Sequence, residues 1–144
     1  EHMGTNGIST LLNKFSGVLG ISGISSDMRE ISVAIESGNE RAALAMETYN
    51  YRIKKYIGSY AAVLGGVDIL VFTGGVGENQ AVTRRDVCRN MEYMGIELDE
   101  ELNDAVHGKE AVISKTSSKV KVVIIPTDEE LTIANDTIEI LEKA

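Results

Sequence analysis

One stretch constrains the fold of this chain more than any other: Val67-Asp68-Ile69-Leu70-Val71-Phe72, then Thr73, then Gly74-Gly75-Val76-Gly77-Glu78-Asn79. The first six residues are mostly apolar and flanked by glycines, as a strand buried in a parallel sheet should be. The glycines then turn the chain, and a helix is expected from about Glu78 to Met91. A second apolar run, Val120-Lys121-Val122-Val123-Ile124-Ile125, closes at Pro126 and reads as another buried strand. It leads into a helix from about Asp128 to Glu142. Ala111 to Lys115 is expected to add a short edge strand. Strands alternating with helices make an α/β unit with a mostly parallel sheet and flanking helices. Two strong strands are a thin core for so much helix, so the sequence reads as part of a larger fold.

The remaining elements follow from periodicity and caps. Residues 5–15 form an amphipathic stretch with Ile8, Leu11 and Leu12 on one side. Residues 17–26 are too rich in Gly and Ser for a regular helix. A helix should start near Ser26 or Asp27, with Asp27 and Glu30 at capping-box spacing, and fade by Ser37-Gly38. The clearest element runs from Asn39 to about Leu64. There Met46, Tyr49, Ile53, Ile57, Tyr60 and Leu64 recur at helical steps, and Gly65-Gly66 ends the run. Leu102 and Ala105 mark a short helix stopped at Gly108.

Composition excludes several classes of function. Fourteen Lys and Arg against 22 Asp and Glu leave a net charge of −8, which argues against nucleic acid, whose phosphates need basic surface. Net charge does not exclude a nucleotide, which backbone amides and helix termini can hold. The single cysteine, Cys88, precludes an intrachain disulfide and a cysteine zinc cluster, favours a reducing, cytoplasmic setting, and reads as a bystander in a polar helix. No apolar run has the length of a membrane span, and none reads as a signal peptide. Glu1-His2-Met3 reads as a cloning remnant, so residues 1–4 are set aside. Residues 5–128 are assigned to the lobe and 129–144 to a terminal helix.

The glycine segment has two competing readings. Glycines at a strand's carboxyl end let backbone N–H groups approach a ligand, and a following helix N-terminus favours anions. The plainer alternative is a tight turn capped by Asn79. A P-loop is excluded, since no Gly-Lys-Ser/Thr follows. For a dinucleotide fingerprint, Gly75 and Gly77 fill two positions, Gln80 replaces the third glycine, and Glu97 lies near the distance of a ribose acid. A dinucleotide-binding module and a non-catalytic interaction domain therefore stand as alternatives.

Residues 72–79 resemble the adenosine-binding signature of acetate kinases. The stretch Ser16-Gly17-Val18-Leu19-Gly20-Ile21-Ser22-Gly23-Ile24-Ser25-Ser26-Asp27-Met28-Arg29 resembles the same family, as does Ile125-Pro126-Thr127-Asp128-Glu129-Glu130-Leu131. The resemblance runs from about Leu11 onward and covers about the last third of a family member. It implies part of a ribonuclease-H-like lobe of the actin, sugar-kinase and Hsp70 superfamily.

By that resemblance Asp27, Met28 and Arg29 line an adenosine pocket, with Arg29 around the base. Gly75, Val76, Gly77, Glu78 and Asn79 form its other wall, and Glu129 is a magnesium ligand. ATP or ADP and Mg²⁺ are the implied cofactors, acetate is a substrate of the intact enzyme only, and dimerisation through this lobe is implied. Residue by residue, plainer roles compete. Asp27 would cap a helix, Arg29 would be solvated, and Thr127 with Glu130 would form a capping box that leaves Glu129 free. Glu78 would serve a helix N-terminus. Arg84, Arg85 and Arg89 read as a solvated face and His107 as a complement to a helix dipole. Tyr49, Tyr56 and Tyr60 read as core or dimer surface. The family's acetate-binding and γ-phosphate residues lie upstream, so the chain alone is expected to be catalytically inactive, and its Val67 strand to favour self-association.

Overall fold

The computed structural model describes residues 3–143, and Glu1, His2 and Ala144 lie outside the described residues. The chain forms two compact units, Glu1–Gly65 and Gly66–Ala144.

The first unit is helical: α1 (Thr5–Lys14), α2 (Gly17–Ser22), α3 (Met28–Glu36) and α4 (Glu40–Leu64). Both α2 and α3 pack on α4. The long helix starts and stops where the sequence places it: the Asn39 side chain accepts from the Ala42 amide, and Gly65 takes the left-handed conformation. Its expected apolar stripe holds only in part. Met46 is buried, as are Ala42 and Ala45, whereas Tyr60 and Leu64 are exposed. The two buried alanines of the first turns let neighbouring helices approach closely, and the larger side chains further along are left outside.

Helix α2 overturns the expectation that glycine and serine would prevent one. It survives because its end is capped twice. Gly23 adopts φ 69° and its amide bonds Leu19 O. From α4, Arg41 Nε donates to Ile21 O at 2.9 Å, placing a cation on the carbonyls of the last turn. Helix α1 has no buried residue, and Ile8, Leu11 and Leu12 are all exposed.

The second unit is α/β. Its sheet has the order β1-β3-β2, with β1 (Ile69–Phe72), β2 (Ala111–Val112) and β3 (Lys121–Ile124). Strands β1 and β3 are parallel, Ile69 facing Lys121 and Phe72 facing Ile124. The expected edge strand runs antiparallel to β3, which makes the sheet mixed. Residues 113–120 are too few for the crossover that parallel pairing needs. Strand β3 is the buried one: Val122 and Ile124 are fully enclosed. Strand β1 is not buried on both faces as expected. It lies at the sheet edge, with Phe72 inward and Ile69 and Val71 exposed.

The glycine segment is itself helical: α5 (Gly74–Asn79) begins one turn before Glu78, and α6 (Ala81–Cys88) follows after a break at Gln80. Asn79 is therefore the last residue of α5, not a cap at the start of a helix. Helices α7 (Glu100–Ala105) and α8 (Glu129–Glu142) complete the unit. Helix α6 is not a solvated polar face: Thr83, Arg84, Val87 and Cys88 are buried along one side of it.

Arg84 organises this unit. It is 0% exposed. Nε donates to Asn103 Oδ1 at 2.7 Å, Nη1 to Gly77 O and Glu78 O at 2.9 Å each, and Nη2 to Asn103 O and Val106 O at 2.8 Å each. A guanidinium has five N–H donors, and all are used. Burial pulls its pKa down from the ordinary arginine value, and a guanidinium stays protonated in proteins. The same carbonyl end of α5 is closed by the Gly108 amide on Glu78 O and by His107 Nδ1, 3.1 Å from Asn79 O. The carbonyl only accepts, so Nδ1 carries the proton. His107 does complement a helix end, but that of α5 rather than its neighbour α7.

Removing Arg84 strands several buried acceptors at once. Arg84→Ala should cost at least about 3–5 kcal/mol, read as a lower urea midpoint. Arg84→Lys should recover little of it, because one ammonium cannot reach acceptors on both sides of a planar fork.

Candidate nucleotide-binding site

The three glycines of the β1–α5 junction are glycine for three different reasons. Gly74 sits at φ 70°, which a side chain strains. Gly77 is packed against the strand it has just left: a Cβ there would lie 3.2 Å from the Phe72 carbonyl carbon. Gly75 needs neither. Its φ is ordinary, and a Cβ would meet nothing within 4 Å. Its bare backbone faces outward at the carboxyl end of β1, in the first turn of α5. Thr73 does not cap that turn with its side chain.

Val76 is half-buried, and Asn79 is exposed with its Nδ2 donating to Gly75 O at 3.1 Å. Glu78 reaches across the unit. Its Oε1 accepts from the Thr127 amide at 2.9 Å and from Thr127 Oγ1 at 2.8 Å, over 49 residues of sequence. The Thr127 amide and hydroxyl, with a smaller contribution from the Gly74 amide, hold this carboxyl below the usual glutamate range. Serving the N-terminus of its own helix is thus the lesser part of what Glu78 does.

The capping box expected from Thr127 and Glu130 does not form. Asp128 caps α8 instead, accepting from the Leu131 amide at 2.9 Å, because Thr127 is already engaged by Glu78. Glu129, the first residue of α8, is exposed and takes no part in the cap. Together with Thr127, Asp128, Thr132 and Ile133 it lines an open concavity. Among the described residues no group of three or more His, Cys, Asp or Glu side chains converges to hold a metal. A lone outward carboxylate suits magnesium, which keeps most of its waters and shares substrate phosphates, and would not suit a metal that needs a full protein cage.

Asp27, Met28 and Arg29 belong to the first unit. Asp27 caps α3 through the Arg29 amide at 2.8 Å. The Arg29 side chain is not simply solvated: it folds back onto the same carboxylate, Nη2 to Oδ2 at 2.6 Å and Nε to Oδ1 at 3.1 Å. Met28 points inward and is buried with Ile31. The structure thus brings Gly75 to Asn79 and the Glu129 segment into one bonded set in the second unit, and it carries Asp27 to Arg29 in the first.

The arginines after the glycines are all committed. Arg84 is buried, Arg85 pairs with Asp104 and Arg89 with Asp86 at 2.7 Å. Glu97 is no ribose acid: the strand beside β1 is β3, and Glu97 Oε2 accepts from Ser117 Oγ at 3.0 Å. Two positions central to this arrangement, Asn103 and Thr127, carried no functional reading in the sequence. Their partners lie 19 and 49 residues away, beyond any local pattern.

The model of the acetokinase family matches residues 1–135. The chain belongs to that family. It is 66% identical over 143 residues to the acetate kinase of Bacteroides thetaiotaomicron, covering 99% of this chain and 36% of that protein. The crystal structure of Porphyromonas gingivalis acetate kinase superposes with a TM-score of 0.89 at 63% identity, over 96% of this chain and 35% of the other. That of Entamoeba histolytica acetate kinase gives 0.87 at 39% identity, over 96% and 37%. The chain therefore spans about a third of the length of the relatives it matches. Its α/β architecture is that of the actin-like lobe expected from the sequence.

The Asp27–Arg29 pair sets a pH dependence. The Arg29 side chain, then its amide, lower the Asp27 carboxyl to about 2. A depressed folded-state pKa means that the cap's contribution is present above the ordinary aspartate value and is lost as pH falls through about 2. Carboxyl titration followed by NMR should show that low value, and Arg29→Ala should return it toward, but not fully to, about 3.9, since the capped amide remains.

Proposed function

We propose that this chain is the C-terminal, nucleotide-binding part of an ATP-dependent acetate kinase. The observation that carries the proposal is Gly75: neither its dihedral angle nor its surroundings require a glycine, yet its backbone stands outward on the first turn of a helix whose far end is anchored. A ligand that must approach the backbone explains it. In this reading Gly75 to Asn79 of the second unit contact ATP or ADP, with the α5 amides facing the nucleotide. Asp27, Met28 and Arg29 of the first unit are adenosine contacts by the family resemblance, Met28 through its backbone and Arg29 through its guanidinium plane. Glu129 holds Mg²⁺ through water or directly. When bound, the metal neutralises phosphate charge.

The intact enzyme would transfer a phosphoryl group between ATP and acetate, and residues outside this chain would hold acetate and the γ-phosphate. The chain alone is then a nucleotide binder without turnover. It would work in the cytoplasm, independently of nucleic acid and membrane; no helix of the described residues is long and apolar enough to cross a bilayer. The open outer edge of β1, with Ile69 and Val71 exposed, supports self-association as a homodimer or by strand pairing.

Calorimetry with Mg-ATP and with NAD tests the reading: Mg-ATP should bind and NAD should not, while the reverse outcome or silence with both would remove it. Gly75→Ala should weaken Mg-ATP by roughly tenfold or more without loss of stability, as a helical alanine is favoured by up to about 1 kcal/mol. Gly77→Ala should instead destabilise the fold by about 1–3 kcal/mol through its clash with Phe72. For self-association, sedimentation at rising concentration should show a species heavier than 15.6 kDa, and replacing Val71 with Lys should return the monomer.

A further inference from the structure

Helix α8 presents a mechanical puzzle. None of its residues is buried, and Leu131, Ile133 and Ile138 are exposed. Helices in proteins owe most of their stability and placement to packing of an apolar face. Packing does not place this one, so its position is set where the chain enters it. That entry is closely held. The Ile125 amide bonds Phe72 O at 3.0 Å, which ties the end of β3 to the end of β1. Pro126 follows with a restricted φ. Thr127 is then gripped by Glu78 through both its amide and its hydroxyl, and Asp128 caps the first turn. Glu129 comes next. Along this entry Ile125 is bonded to the strand end and Thr127 to the glycine-bearing helix.

We propose that Glu78 and Thr127 are positioning residues: their contact fixes the first turn of α8 against α5, so that the Glu129 carboxylate is held in register with the nucleotide-facing amides of Gly75 and Val76. The inference rests on the nucleotide reading of those amides and on Glu129 as the magnesium-side carboxylate. It gives the Glu78 side chain a duty distinct from lining the pocket. The backbone of residue 78 belongs to the wall, while the carboxylate points to the start of α8. Ionised at neutral pH, that carboxylate accepts both bonds strongly. The arrangement also explains why Asp128 and not Thr127 caps α8. A threonine spent on the cap could not join the two helices.

Thr127→Val removes the hydroxyl at nearly constant shape, Thr127→Ser restores it, and Glu78→Ala removes both bonds while favouring the helix. In the nucleotide-free chain, amide exchange at Leu131 and Thr132 should quicken about tenfold in Thr127→Val, further in Glu78→Ala, and return in Thr127→Ser. With ligand, Thr127→Val should weaken Mg-ATP about tenfold while metal-free ATP stays within about twofold. Adding Glu129→Gln to Thr127→Val should cost little more. Unchanged exchange in both variants would overturn the proposal, as would an equal loss of affinity with and without magnesium. A wild-type chain that binds no Mg-ATP would defeat the nucleotide reading and the magnesium part of this one. The exchange measurements would still decide whether Glu78 and Thr127 hold the helix.

Discussion

The buried guanidinium of Arg84 is the constraint on which the second unit depends. Among the described residues no carboxylate is hydrogen-bonded to it, and Asp104 acts on it only through charge. Its charge is met by four main-chain carbonyls and one side-chain amide oxygen, contributed by the end of α5 and by α7 with its exit. A six-residue helix such as α5 has no stability of its own. Anchoring its carbonyl end from behind, through Arg84, His107 and Gly108, fixes the axis along which its leading amides point. The leading end of α5 is thus presented by bonds made at the other end. Arginine suits this role because its planar fork reaches acceptors on two elements at once and stays charged when desolvated.

From that anchor the rest of the candidate site follows in sequence order. Gly77 must be bare because α5 folds back onto Phe72, and Gly74 must be bare because the strand turns sharply into the helix. Only Gly75 is left without an internal reason. A motif of three glycines therefore mixes two structural requirements with one that points outward. Glu78 then carries the order of α5 to the entry of α8, and Asp128 and Glu129 divide the work of capping and facing solvent.

Much of this was legible in the sequence wherever the cause is local. Asn39 and Gly65 bound α4 because a cap and a left-handed glycine are properties of single positions. Asp27 caps α3 for the same reason, and the apolar run closed by Pro126 places β3. Where the cause is distant the sequence is silent or misleading. Arg84 looked like a solvated residue of a polar helix, since nothing near it says that Asn103 and Val106 wait for it. Helix α2 looked impossible because Arg41, the side chain that caps it, comes 20 residues later. Thr127 and Glu130 had the right spacing for a capping box, but a competitor 49 residues away took the threonine. The mixed sheet was likewise hidden, because strand direction depends on connection length rather than on the strand's own residues.

The charges support the reading of this chain as a nucleotide binder without turnover. Phosphoryl transfer relies on cations placed at the oxygens where charge spreads in the transition state. Arg84 is sealed in the core, Arg85 and Arg89 are paired with Asp104 and Asp86, Arg29 is folded onto Asp27, and Arg41 is held on the carbonyls of α2. Each of these guanidiniums makes its hydrogen bonds or ion pairs within the fold. The backbone amides of α5 can still meet phosphate, because a helix end holds an anion without a cationic side chain. Amides that met the phosphates equally in the ground state and the transition state would lower a dissociation constant without accelerating the chemistry. In the reading proposed above, the acceleration would come from cations that other parts of an acetokinase polypeptide bring to the γ-phosphate, opposite the amides of α5.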